Sequence, residues 1–204
     1  MEEKKNSELK GNSFKKIRNK YILKIIFGNI QESKLFRIVN YNKNIQKRLD
    51  KNLKDYIKYY KKIILEIIPI NKNDKNTFIN YKEKQEQYFH IYFNDEKEEK
   101  YRNYFNKDEN VTKIKIIIDG HIRSFYGLFY DCVCIEKINF TKFNRKDIIN
   151  MSNMFYECSS LKELKLNNFN TNNVKNMRSM FSGCSSLKEL NLNSFNTNNI
   201  TNMS

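Results

Sequence analysis

Met154-Phe155-Tyr156-Glu157-Cys158-Ser159-Ser160-Leu161-Lys162-Glu163-Leu164 returns 26 residues later as Met180-Phe181-Ser182-Gly183-Cys184-Ser185-Ser186-Leu187-Lys188-Glu189-Leu190, with only Tyr156/Ser182 and Glu157/Gly183 changed. The register holds through Leu166/Leu192, Phe169/Phe195, Asn170-Thr171/Asn196-Thr197, Val174/Ile200 and Met177/Met203. One period earlier lies a diverged copy, in which Phe129, Cys132, Ile135, Ile138, Phe140, Phe143, Asn144, Ile148 and Met151 keep the same phase. A fixed period of this length marks a stack of like units, none of which can bury its apolar stripe without a neighbour. At least three copies are present.

Within a copy, Leu161, Leu164 and Leu166 have LxxLxL spacing. Leu164 and Leu166 share one face of a short strand, while Glu163, Lys165 and Asn167 face the other way. Strands are expected at Ile135–Phe140, Leu161–Leu166 and Leu187–Leu192, side by side and parallel. The period then changes. Val174, Met177, Met180, Phe181 and Cys184 fall at i, i+3, i+6, i+7 and i+10, one stripe of a helix. Thr171, Asn172 and Asn173 stand ready to cap its first amides, and Gly183 stands where a left-handed stop is wanted. The expected fold is an α/β repeat of strand, turn and short helix.

The string MFxxCSSLKELxLxxFNTNNV, repeated between Asn150 and Ser204, resembles the BspA-type leucine-rich repeat, the 26-residue "surface protein" repeat. The resemblance runs from about Val111 to Ser204. It implies a leucine-rich-repeat solenoid that binds proteins and carries no catalysis, and in secreted bacterial members it implies adhesion to host proteins. The expected ligand surface is the strand face: Glu136, Lys137 and Asn139 on the first copy, Glu163, Lys165 and Asn167 on the second, Glu189, Asn191 and Asn193 on the third. The sequence stops at Met203-Ser204, where the next coil would continue, so the solenoid is expected to be either truncated or uncapped there, and an open last rung is expected to be prone to end-to-end self-association.

Residues 1–19 read as a disordered polar tail, and 20–110 as a mostly helical module preceding the solenoid at 111–204. Ile45, Leu49, Leu53, Ile57 and Tyr60 recur at helical spacing. Strands are expected at Ile63–Ile70, Tyr88–Phe93 and Val111–Ile118, the last as the cap of the first coil, and a charged helix at Glu96–Phe105. Tyr21 to Leu49 faintly resembles an F-box, which implies a ubiquitin-ligase adaptor as the alternative function. A surface adhesin whose export signal is missing is another.

The chain carries a net charge of +15, with 32 Asn and no Ala. Lys, Asn, Ile, Tyr and Phe have A/T-rich codons, so the skew is read as reporting the genome, with nucleic-acid binding through the charge as a further alternative. The excess is spread, +10 over residues 1–110 (26 basic, 16 acidic) and +5 over 111–204 (12 basic, 7 acidic). No signal peptide or apolar run of membrane length is visible, so the expected location is cytoplasmic, with the cell surface as the alternative. Cys132, Cys158 and Cys184 lie one period apart and are expected to form a ladder of reduced core thiols. His121 with Cys132 and Cys134 lacks the paired spacing of a zinc site, and the five glycines form no phosphate loop. No cofactor or metal is expected, and the partner is an unidentified protein.

Overall fold

The structure, a computed structural model, describes residues 62–204 except His121, Asn144, Asn167 and Asn168, and Lys47 alone before them. The expected tail at 1–19, the F-box-like stretch and the helix at 45–60 therefore lie outside the described residues. The described residues from Lys62 onward form one compact unit.

Seven strands carry it: β1 (Ile63–Pro69), β2 (Lys75–Thr77), β3 (Phe89–Phe93), β4 (Tyr104–Asn106), β5 (Ile114–Ile118), β6 (Ile135–Phe143) and β7 (Glu163–Lys165). In β1, Ile63, Leu65, Ile67 and Pro69 are buried while Ile64, Glu66 and Ile68 look outward, the two-residue alternation of a half-covered strand. Strands β3 and β5 alternate in the same way. These β-branched and aromatic runs pair in the order β3-β5-β1-β6-β7, antiparallel except for the last pair, and β2 and β4 form a separate ribbon. Pro69, which cannot donate to a ladder, falls at the last position of its strand. Between Ile64 and Leu65 the pairing of β1 with β6 skips Thr141, and the Thr141 hydroxyl donates to the Ile64 carbonyl at 3.2 Å, so the bulge keeps a hydrogen bond.

This overturns the expected α/β leucine-rich-repeat solenoid with a mostly helical N-terminal module. Among the described residues from Lys62 onward there is no α-helix, only a single 3-10 turn at Glu86–Tyr88. Glu96–Phe105 holds turns and the start of β4 where a charged helix was expected. A boundary at 110/111 falls inside the five-stranded sheet, because β1 inserts between β5 and β6. The strand that covers the first copy is thus β1 and not the Val111–Ile118 segment. Strand order in space is not order in sequence, and periodicity carries no information about which strand lies beside which.

The absent repeat helix has a specific cause. Amides at alternate positions leave their own copy: Met151 N–H donates to Asn176 O at 2.8 Å, Asn153 to Arg178 at 2.9 Å, Phe155 to Met180 at 2.9 Å and Glu157 to Ser182 at 2.8 Å. Phe125, Gly127, Phe129 and Asp131 do the same toward the second copy. The intervening amides close tight turns three residues back, such as Tyr156 to Asn153 at 3.2 Å. A helix would need every amide for a bond four residues back. The chain can turn this way because two positions per copy are left-handed: Gly127, Asn153 and Ser179 (φ 61, 54 and 50°), and Asp131, Glu157 and Gly183 (φ 54, 55 and 78°). Gly183 is left-handed as expected, but it closes a turn and not a helix. Thr171 and Asn173 likewise cap no helix. The Thr171 hydroxyl donates to Asn196 O at 3.0 Å and the Asn173 carboxamide donates to Lys146 O at 2.7 Å, each bridging neighbouring copies.

Side chains stack in the same register. The Phe129, Phe155 and Phe181 rings lie 5.4 and 5.7 Å apart with planes 4° from parallel, and Phe143, Phe169 and Phe195 form a second column. Both columns belong to one apolar core that runs from β1 into the repeats.

Candidate binding surfaces on the repeats

The parallel pairing of β6 with β7 puts Lys137 opposite Glu163 and Asn139 opposite Lys165 on one face. The Lys137 ammonium lies 3.3 Å from Glu163 Oε2, and Lys165 lies 2.8 Å from Oε1 of the same carboxylate. Hydrogen bonds from Lys165 and then Lys137 hold the Glu163 carboxyl below the usual carboxylate range. Glu136 pairs with Lys162 across one copy spacing at 3.0 Å. Four of the nine expected residues are therefore adjacent on the β6–β7 face, with Glu136 beside them at the start of β6.

The rest are not assembled in the same way. Asn167 lies outside the described residues. Glu189, Asn191 and Asn193 are exposed, but Leu187–Leu192 forms no strand, so the third copy adds no ladder to that face. Its leucines are half-covered, and too few neighbours fix its backbone.

The cysteine ladder is present. Cys158 donates to Phe129 O and Cys184 to Phe155 O, both at 3.0 Å, each reaching back to the preceding copy. All four thiols are free. Burial pushes Cys132 well up, Cys158 upward, Cys134 to about 12 and Cys184 to about 11, which keeps them neutral and poorly nucleophilic. Among the described residues no group of three or more His, Cys, Asp or Glu side chains could hold a metal ion. His90 has Glu99 at 2.9 Å from Nδ1 and Asp119 at 3.3 Å from Nε2, so its ring nitrogens face fixed partners and not an open cleft.

Periodicity missed the residues that vary within the register. Arg145, in the column of Thr171 and Thr197, is 1% exposed. Its guanidinium donates to Gly120 O at 2.5 Å and Ile122 O at 2.6 Å and grips Asp147 at 2.7 and 3.0 Å. Tyr126, Tyr130 and Tyr156 also stand in the turns, with Tyr130 and Tyr156 stacked at 5.0 Å and 9°. Tyr126 and Tyr130 are 52% and 45% exposed, an unusual placement for large rings. The only sequence signal for them was that they stand in columns that vary between the copies.

No helix among the described residues is long and apolar enough to cross a membrane. No curated protein and no solved structure matches the chain. Residues 123–204, which are the repeats, match the family described as Mycoplasma protein of unknown function, DUF285.

Proposed function

We propose that the chain is a non-catalytic module that binds a protein ligand along the strand face of its repeats, through Lys137, Asn139, Glu163 and Lys165, with Glu136 beside them and the exposed Glu189, Asn191 and Asn193 further along the stack. The reading follows the resemblance of the repeats to the BspA type. What carries it is the β6–β7 register, which sets Lys137 beside Glu163 and Asn139 beside Lys165 on one polar face at one strand spacing, about 4.8 Å. The buried, neutral thiols and the occupied ring of His90 support a binding role over nucleophilic chemistry. A cytoplasmic location belongs to the same reading. So does self-association through the third copy, where Leu187, Leu190 and Leu192 are only half-covered and Met203 is 60% exposed.

The test is crosslinking capture from native cells with the full chain and with a Lys137→Glu/Lys165→Glu variant. One protein captured by the native chain and lost with the variant is the expected result. Capture indifferent to the variant would reject the strand face, and no protein crosslinked at all would reject the module. Sedimentation across a concentration series checks the self-association.

A further inference from the structure

The three copies are their own control. Columns that repeat, such as Phe129/Phe155/Phe181 and the left-handed Gly127/Asn153/Ser179, are what the stack requires. Columns that vary are not required by the stack and are free to recognise something. Two of them give Tyr126, Ser152 and Arg178, and Tyr130 and Tyr156, to the lining of one cleft of about 520 Å³ on the turn side, together with the constant Asn176 and Asn202.

Hydrogen bonds fix the rungs: Gly127 N–H to Ser152 O at 3.1 Å, Asn153 to Arg178 at 2.9 Å, Asp131 to Tyr156 at 2.8 Å. Tyr126 and Arg178 are therefore two rungs apart, about 10 Å, with the short Ser152 between them as floor. That separation is close to the spacing of two packed β layers and accepts an extended chain with its side chains, where a single planar ring would leave it half empty.

Beside the hydroxyls, the amide and guanidinium groups of the lining are one-sided. Asn176 Oδ1 already accepts the Arg178 amide at 3.0 Å, and Asn202 Oδ1 accepts the Ser204 hydroxyl at 3.1 Å. Their N–H₂ groups have no partner among the described residues, and neither does the Arg178 guanidinium. What they offer is donors, so the occupant must be rich in acceptors and carry a negative charge. Among the described residues Arg178 is the one cation lining the cleft, too few for a phosphodiester backbone, which takes a track of them. Tyr, Ser, Asn and Arg are the side chains that dominate protein-recognition loops, because Tyr supplies rigid area and the others adaptable hydrogen bonds.

We infer that this turn-side cleft is a docking site for an extended acidic peptide segment, whose carboxylate meets Arg178 and whose ring, aromatic or proline, lies on Tyr126 and Tyr156. This rests on the protein-binding reading and adds to the strand face a second contact on the turns.

The experiment selects a random peptide library against the full chain and measures the enriched peptides by fluorescence anisotropy. Alongside them are measured Arg178→Glu, Tyr126→Ala and Lys137→Glu/Lys165→Glu variants and a twelve-nucleotide oligodeoxythymidylate. All the substituted side chains are on the surface, and circular dichroism confirms that each variant folds. Enriched peptides should combine Asp or Glu with Tyr, Phe or Pro, and should lose at least about tenfold in affinity with Arg178→Glu, the loss of one charge-assisted contact, and with Tyr126→Ala. They should be unmoved by the strand-face variant. Peptides that respond only to the strand-face variant would overturn the cleft and leave the protein-binding reading standing. Failure of any peptide to enrich would overturn the cleft and leave the strand-face reading to the crosslinking capture, and tight oligodeoxythymidylate binding lost with Arg178→Glu would reassign the cleft to single-stranded nucleic acid.

Discussion

The second and third copies are close to identical in sequence and differ in structure. Leu161, Leu164 and Leu166 are buried and flank or form β7, whereas Leu187, Leu190 and Leu192 are half-covered and form no strand. Phe155 is fully buried and Phe181 only partly. The second copy is packed on both sides; beyond the third the described residues supply only the short stretch Thr201–Ser204, which meets its turns through Met177 and Ser179. The difference teaches that a copy's order is supplied by its neighbours and not by its own propensities, which are nearly the same in the two.

The largest effect should separate these copies. Phe155→Ala should cost about 3–5 kcal/mol in urea unfolding, because a ring stacked on both faces leaves a cavity. Phe181→Ala, the same change one copy later, should cost less than about half of that, since part of its ring is already in water. Equal costs would break the comparison.

Next in size is Arg145→Thr, which gives the first copy the residue that the other two hold in that column. A loss of about 2–3 kcal/mol is expected, because the Gly120 and Ile122 carbonyls and Asp147 lose their buried donor. A neutral substitution would show that the copies are interchangeable at this column.

The thiols sharpen the comparison through kinetics and pH. Cys184, half-buried in the third copy, should be labelled by a maleimide well before Cys158, and a reversal would contradict the burial gradient. Burial lifts the folded-state value of Cys184 to about 11 and of Cys134 to about 12, above the ordinary thiol value of 9.0. The unfolded chain then releases its thiol protons first, so this stabilisation is complete below about pH 9 and is lost as pH rises through 11 and then 12. Cys184→Ser should remove only that thiol's share of the decline, which levels off near pH 11, and leave the share of the more deeply buried thiols.

The smallest effect is expected at the surface. Glu136→Gln removes the exposed pair with Lys162 and should change stability by less than about 1 kcal/mol, screened further by salt. A larger loss would make the ion pairs, and not the stacked rings, the glue between copies.

Particular residues explain how much of this was legible. The register, the thiol column and the strands at Ile63–Pro69, Phe89–Phe93 and Ile114–Ile118 could be read from spacing and β-branching, because each is a local pattern. The helix could not be read correctly: Val174, Met177, Met180, Phe181 and Cys184 show the stripe of a helix, and tight turns with left-handed Ser179 and Gly183 bury the same stripe. The competing partner for each amide lies 25 residues along the chain. The place of β1 beside β6 was equally hidden, since neither strand's pattern names its neighbour. Of the candidate sites, the strand-face residues followed from alternation, while Tyr126 and Arg178 became visible only when the columns were compared rung by rung.

The claim that copy-to-copy amides replace a helix can be measured directly by through-hydrogen-bond scalar couplings in the isotope-labelled chain. Coupling of the Phe155 amide nitrogen to the Met180 carbonyl carbon, and of Glu157 to Ser182, is the expected result. Coupling of Phe155 to Met151, four residues back, would show a helix after all and would contradict the stacked-turn architecture.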